Sequence, residues 1–241
     1  MKFPFPLLSF FAFLFLFTSC QEDLDDLEVK ARPANLESLS DSCSYRLNGK
    51  LYTLNKRIGE GFQNAEVKLD SITHKGHPDS VLYSTLFSLG SPRREYLDIR
   101  FIKKYGKNQM TKPDMFLMHP GNKSDLYAKG QHPYAVDYTR FNTQNGIAIE
   151  VWNPGYPYLT SHLPWSKNWL TTIGYDCQSN SSFEITRLQR LRNGNFLMEA
   201  KFSVNLYSYD ASGNTPPGEK PIEVATLHRI ENGFIRLQVD L

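Results

Sequence analysis

The sequence predicts an all-β fold, a single antiparallel β-sandwich domain, and three observations carry that expectation. Short runs of alternating apolar and polar residues recur from Tyr45 to the C-terminus, the period-two pattern of half-buried strands. Asn-Gly pairs and other Gly- or Pro-containing segments divide these runs, which is turn chemistry. Sustained helical periodicity is absent. About nine or ten such strands in one domain favour a sandwich over a barrel.

The elements follow in chain order. Tyr45 and Leu47, then Asn48-Gly49, then Leu51 and Tyr52 predict a hairpin, because Asn and Gly both tolerate the positive φ of a two-residue turn. Strands are expected over 65–73, 81–89 and 95–103. In the last of these Leu97, Ile99 and Phe101 share one side and Asp98 and Arg100 the other. A loop-rich middle covers 104–133, with one helical turn near 114–118. Strands resume over 135–141, and Asn145-Gly146 turns into a strand over 147–152. The last part divides into strands over 182–191 and 196–209, then 222–230 and 234–239, with turns at Asn193-Gly194 and Asn232-Gly233.

The N-terminus has a different character. Met1-Lys2 leads into an apolar, phenylalanine-rich run over 3–17 that ends in Thr18-Ser19-Cys20. One positive residue, a short apolar stretch and a small-residue end make a secretory leader, and the run is too short to span lipid. The acidic residues that follow are the wrong flank for a retained helix. Thr18, Ser19 and Cys20 resemble the lipobox of bacterial lipoproteins, with Phe17 standing where leucine is usual. That resemblance implies removal of residues 1–19 and a lipidated Cys20, carrying a diacylglycerol and an acyl chain such as palmitate, as the first mature residue. Each buried methylene adds about 0.8 kcal/mol, so several chains form a lasting membrane anchor. A plain secretory signal cut near Ser19 is the alternative. Gln21 and the acids after it imply export past the inner membrane, hence an outer-membrane lipoprotein with cell-surface exposure in view.

Residues 20–41 read as a flexible tether. From Gln21 to Asp41 seven acids face only Lys30 and Arg32, a net charge of −5, and nearly aromatic-free acidic composition of this kind stays unpacked. The domain, 42–241, carries 24 bases and 18 acids. These charges are scattered, the mark of a solvated surface, which excludes nucleic acid as a partner. With Cys20 committed to lipid, Cys43 and Cys177 remain as an even pair in an oxidising compartment. A disulfide between them is expected, worth about 4 to 5 kcal/mol for so long a loop. Two separately buried thiols are the alternative.

The C-terminal patterns, Phe183-Glu184-Ile185-Thr186, 194–204 and Glu231-Asn232-Gly233-Phe234, resemble the end of small β-sandwich lipoproteins of unknown function from Bacteroides-type outer membranes. The resemblance implies a fold and a location, and brings no activity.

Candidate chemistry is sparse. All three tryptophans, Trp152, Trp165 and Trp169, fall in one short stretch, interleaved with Tyr156, Tyr158 and several prolines, along the connection 153–175. Aromatic rings on a proline-stiffened loop can stack on sugar faces, with Asn153, Asn168 or His162 supplying hydrogen bonds. The competing account is that these rings cap the sandwich as core. His74, His77 and Asp79 sit within one turn and are metal-ligand types, but a polar hairpin loop is the stronger reading, and no metal or other cofactor is expected. Glu150, Glu184 and Glu199 lie in predicted strands, where outward-facing carboxylates are ordinary; a hydrolytic pair would need two of them to converge. No GxSxG, HExxH, EF-hand or P-loop pattern occurs. The expected function is therefore a non-enzymatic binding or envelope-associated module, its partners the membrane through Cys20 and a glycan or another envelope protein. A glycan-binding accessory of polysaccharide capture and an envelope hydrolase are the alternatives.

Overall fold

A computed structural model describes residues 35–57, 68–69, 80–111, 120–138, 144–153, 156–163, 173–211 and 223–241. Its strands are β1 (Ser42–Leu47), β2 (Lys50–Leu54), β3 (Lys56–Arg57), β4 (Lys68–Leu69), β5 (Ser80–Gly90), β6 (Tyr96–Gly106), β7 (Gly130–Gln131), β8 (Gly146–Asn153), β9 (Tyr156–Thr160), β10 (Ser182–Arg190), β11 (Phe196–Ala211) and β12 (Glu223–Val239). They form one antiparallel sheet in the order β2-β1-β12-β11-β9-β8-β6-β5-β3, with β10 added between β11 and β7, and β4 on β5. The sheet curls until its halves face each other. This is the all-β, sandwich-like architecture the alternation predicts. Among the described residues no helix is long and apolar enough to cross a membrane.

The interior follows from the period of two. Leu97, Ile99 and Phe101 of β6 and Ile147, Ile149 and Val151 of β8 are buried on one face. They meet Phe183 and Ile185 of β10, Phe202 of β11, and Ile235 and Leu237 of β12 in a single apolar cluster. Phe101 packs edge-on against Phe183, with ring centroids 5.9 Å apart, the geometry that aromatic quadrupoles favour. Pairing of β9 with β11 at Tyr207 and Ser208 joins the two halves.

The first hairpin is as expected: Asn48 and Gly49 take φ of 49° and 83°, Leu47 pairs with Lys50, and the rings of Tyr45 and Tyr52 stack across it at 5.3 Å. Asn232-Gly233 is not a turn. β12 runs straight through it, and only Asn232 has positive φ, 50°. On the β1 side Ser44 pairs with Phe234 but Arg46 pairs with Glu231, so Tyr45 faces Asn232 and Gly233 and the dipeptide forms a β-bulge; on the other side Phe202 pairs with Gly233. Glycine is needed there for contact, since a Cβ would sit 2.7 Å from the Phe202 ring.

Three further expectations are corrected. The strand placed over 135–141 is, as far as it is described, a single bridge from Tyr134 to Ile147 followed by a turn over 136–138. The connection 153–175 is not all loop, because β9 folds back on β8. Nor are Cys43 and Cys177 joined: both are buried free thiols. Cys43 points into the core from β1, while Cys177 lies in the turn whose Cys177 carbonyl accepts from Asn205 Nδ2 at 2.8 Å. Each fills space as a small apolar side chain, and burial with the nearby Asp176 charge pushes the Cys177 thiol up to about 11.

Candidate functional site

Among the described residues, the face of β6, β8 and β9 turned away from the main core gathers two carboxylates, a guanidinium, an imidazole and aromatic rings. The alternation that buries Leu97, Ile99 and Phe101 sends Tyr96, Asp98 and Arg100 to this face, and β8 adds Ala148, Glu150 and Trp152. Register then decides who meets whom: Tyr96 lies opposite Trp152, Asp98 opposite Glu150 and Arg100 opposite Ala148. Directly opposed residues hold their Cβ atoms about 4.5 to 5.5 Å apart, so two carboxylates stand side by side.

Their surroundings differ. The imidazole Nε2 of His162, 4% exposed, donates to Glu150 Oε1 at 2.8 Å. The Tyr158 hydroxyl also donates to Glu150. Burial raises the Glu150 carboxyl, but these two hydrogen bonds and the charges of His162 and Arg100 outweigh it and hold it below the usual carboxylate range. Asp98 goes the other way. Burial and then the Glu150 charge hold it above that range, against the opposing Ser88 hydroxyl and Arg100 guanidinium.

Aromatic side chains frame the pair. Trp152 is 52% exposed, and its ring lies 4.7 Å from that of Tyr158, tilted by 50°. On the other side Tyr138 meets His162 edge-on at 5.7 Å, and the Arg100 guanidinium lies 5.6 Å over the Tyr138 ring. A small apolar cluster of Leu82, Ile102, Ala135, Tyr138 and Ala148 underlies this end of the face. Arg100 Nε is buried with no hydrogen-bond partner among the described residues.

Of the aromatic residues singled out in the sequence, Trp152 and Tyr158 come together on this face. Tyr156 opens β9 opposite Asn153. Trp165 and Trp169 lie outside the described residues, as do Cys20, His74, His77 and Asp79. Among the described residues no group of three or more His, Cys, Asp or Glu side chains could hold a metal. His132 is hydrogen-bonded to the Ala128 carbonyl oxygen, and His228 bridges Asn48 and Ser208. Glu199 belongs to an ion pair with Arg236 at 2.9 Å, and Glu184 faces Lys201 across β10 and β11.

The pairing of Asp98 with Glu150 and the contacts of Tyr138 escape the sequence reading. Each is visible as an outward strand or turn residue, but the register that joins β6 to β8 leaves no mark in either strand alone. What the arrangement can do is clear from its parts. A ring face open to solvent can stack on the apolar face of a sugar, and carboxylates, guanidinium, imidazole and phenol at its edge can bond hydroxyl groups. No protein-family model, no curated protein and no solved structure matches the chain, so the geometry of this face stands as the evidence for function.

Proposed function

We propose that the protein is a non-enzymatic glycan-binding module, anchored to an outer membrane through lipid on Cys20 and presenting its β-sandwich on the acidic tether at 20–41. The observation that carries the binding reading is the solvent-exposed Trp152 ring, set against Tyr158 and beside the opposed Asp98 and Glu150. A large aromatic side chain left half exposed on a strand that otherwise buries its apolar residues is the feature that packing does not explain. Retention of the protein on a panel of immobilised glucan, xylan, mannan and chitin tests it. Wild type is expected to be retained on at least one, and Trp152→Ala to pass through; equal retention of both overturns the reading. The anchor rests on the leader, and membrane fractionation of Cys20→Ala, expected to be soluble, tests it.

The pairing of Asp98 with Glu150 favours a second reading, hydrolysis of a glycosidic bond. Glu150 would bond to the anomeric carbon as the bond to the leaving oxygen breaks, with Asp98 giving its proton to that oxygen. Water would then release the sugar and return a proton to Asp98. Turnover of aryl glycosides that disappears in Asp98→Asn and Glu150→Gln would establish it. Both hydrogen bonds to Glu150 come from groups that also fix its position, which is why binding is the first reading.

A further inference from the structure

A groove of about 570 Å³ is walled by the segments 131–136, 144–145 and 175–182, at the end of β8 where Gly146 lies. We infer that it is a second saccharide subsite, continuous with the Trp152 face, that takes further residues of a neutral oligosaccharide. This rests on the glycan-binding reading and extends it from one ring to a chain.

The walls are built, not draped. The Tyr134 hydroxyl lies between the carbonyl oxygens of Ser182 and Ser203, at 3.2 and 3.0 Å. Gln178 Nε2 donates to the Ser161 and Asn205 carbonyls at 2.9 and 2.7 Å. Gly146, at φ 139°, lets the Pro133 carbonyl approach so closely that a Cβ would sit 2.1 Å from it, and Ile147 N donates to that same oxygen at 2.8 Å. Three segments distant in sequence are thereby tied into one rigid trough, which lowers the cost of ordering a ligand.

The lining chemistry selects the ligand. Gln144 Oε1 accepts from Val136 N at 3.0 Å and Asn145 Oδ1 from Lys104 N at 2.8 Å, which leaves the amide NH2 ends of both residues as donors. Asp176 supplies an acceptor in the opposite wall. Tyr175, in the same wall, is half exposed and offers a ring face. Donors facing an acceptor suit a hydroxyl, which does both, and an aromatic ring suits the C–H face of a sugar. Asp176 and His132 are the ionisable groups of the lining apart from its tyrosines, so a strongly charged ligand finds no counter-charge.

Continuity comes from one turn. Val136 lines the groove, and two residues on Tyr138 touches both His162 and Arg100 of the Trp152 face. Leu163 N donates to the Val136 carbonyl at 2.7 Å, tying the end of β9 to the same turn. The saccharide chain we infer crosses this turn between Tyr175 and Trp152.

Calorimetric titration of the full-length protein in detergent micelles with disaccharides and hexasaccharides of the glucan, xylan, mannan and chitin series tests the inference. The hexasaccharide of the recognised series is expected to bind roughly tenfold more tightly than the disaccharide. Trp152→Ala should weaken both lengths, whereas Tyr175→Ala should remove the gain with length and leave the disaccharide unaffected. Tyr175→Phe should restore that gain, which shows that the ring and not a folding defect is read. If Tyr175→Ala keeps the full gain with length while Trp152→Ala abolishes binding, the groove inference fails and the face remains. If wild type binds no member of any series, both fail together. Binding of a glutamine-rich peptide that Tyr175→Ala abolishes, with no dependence on saccharide length, would reassign the groove to peptide and overturn the inference.

Discussion

The two faces of β6 and β8 are made by the same residues in alternation, yet they obey different rules. On the inward face Leu97, Ile99, Phe101, Ile149 and Val151 are fully buried and Ile147 nearly so, each replaceable in principle by another apolar side chain of similar volume. On the outward face Asp98 meets Glu150, Arg100 lies over an aromatic ring, and Trp152 stands in solvent. Burial accounts for the first face completely. It makes the second face costly, because like charges set directly opposite each other on a sheet destabilise it. A surface that carries such a cost beside an exposed tryptophan is the natural place to look for function.

The largest expected effect lies on the inward face. Phe101→Ala removes a ring that contacts Phe87, Tyr127 and Phe183 and should cost about 3 to 5 kcal/mol in urea unfolding. A loss under about 1 kcal/mol would mean that the halves of the sheet do not pack through this residue.

On the outward face the two carboxylates should differ in sign. Glu150→Ala strands the His162 N–H and the Tyr158 hydroxyl and should cost about 3 kcal/mol at neutral pH. Because the folded Glu150 carboxyl lies below its ordinary value of 4.5, its contribution is complete above that value and is lost as pH falls through the folded pKa. The gap between wild type and variant should therefore close in acid. Asp98→Asn removes one of two opposed like charges and should stabilise by about 0.2 to 1 kcal/mol. The folded Asp98 lies above its ordinary value of 3.8, so the charged form disfavours folding. The advantage of the asparagine should grow as pH rises and vanish at pH values below 3.8. Destabilisation by both variants at neutral pH would break the comparison. The smallest effect belongs to Trp152→Ala, within about 0.5 kcal/mol in the same unfolding assay, so that any loss of binding reports the site and not the fold.

Much of the inward face was legible in the sequence. Alternation places β5, β6, β8, β10 and most of β11, and Asn48-Gly49 fixes the first hairpin. The errors share a cause, which is that local chemistry serves more than one geometry. Asn232-Gly233 has the residues of a turn but makes a bulge, because Phe202 on the neighbouring strand occupies the space over Gly233. Cys43 and Cys177 satisfy parity, yet their side chains are buried apart as free thiols, and parity carries no distances. The site was half legible. Trp152 and Tyr158 stand out by residue type alone, while the meeting of Asp98, Glu150 and His162 depends on strand register and on the return of β9 along β8, neither of which is written in one segment of chain.

The central claim is that the Trp152 face binds saccharide, and the indole N–H resonance of Trp152 reports on it directly. It can be assigned in a ¹⁵N-labelled spectrum by its absence from Trp152→Ala. Titration with an oligosaccharide of the series that retains the protein should move that resonance progressively and to saturation. Saturable binding that leaves the Trp152 indole resonance in place would contradict the account.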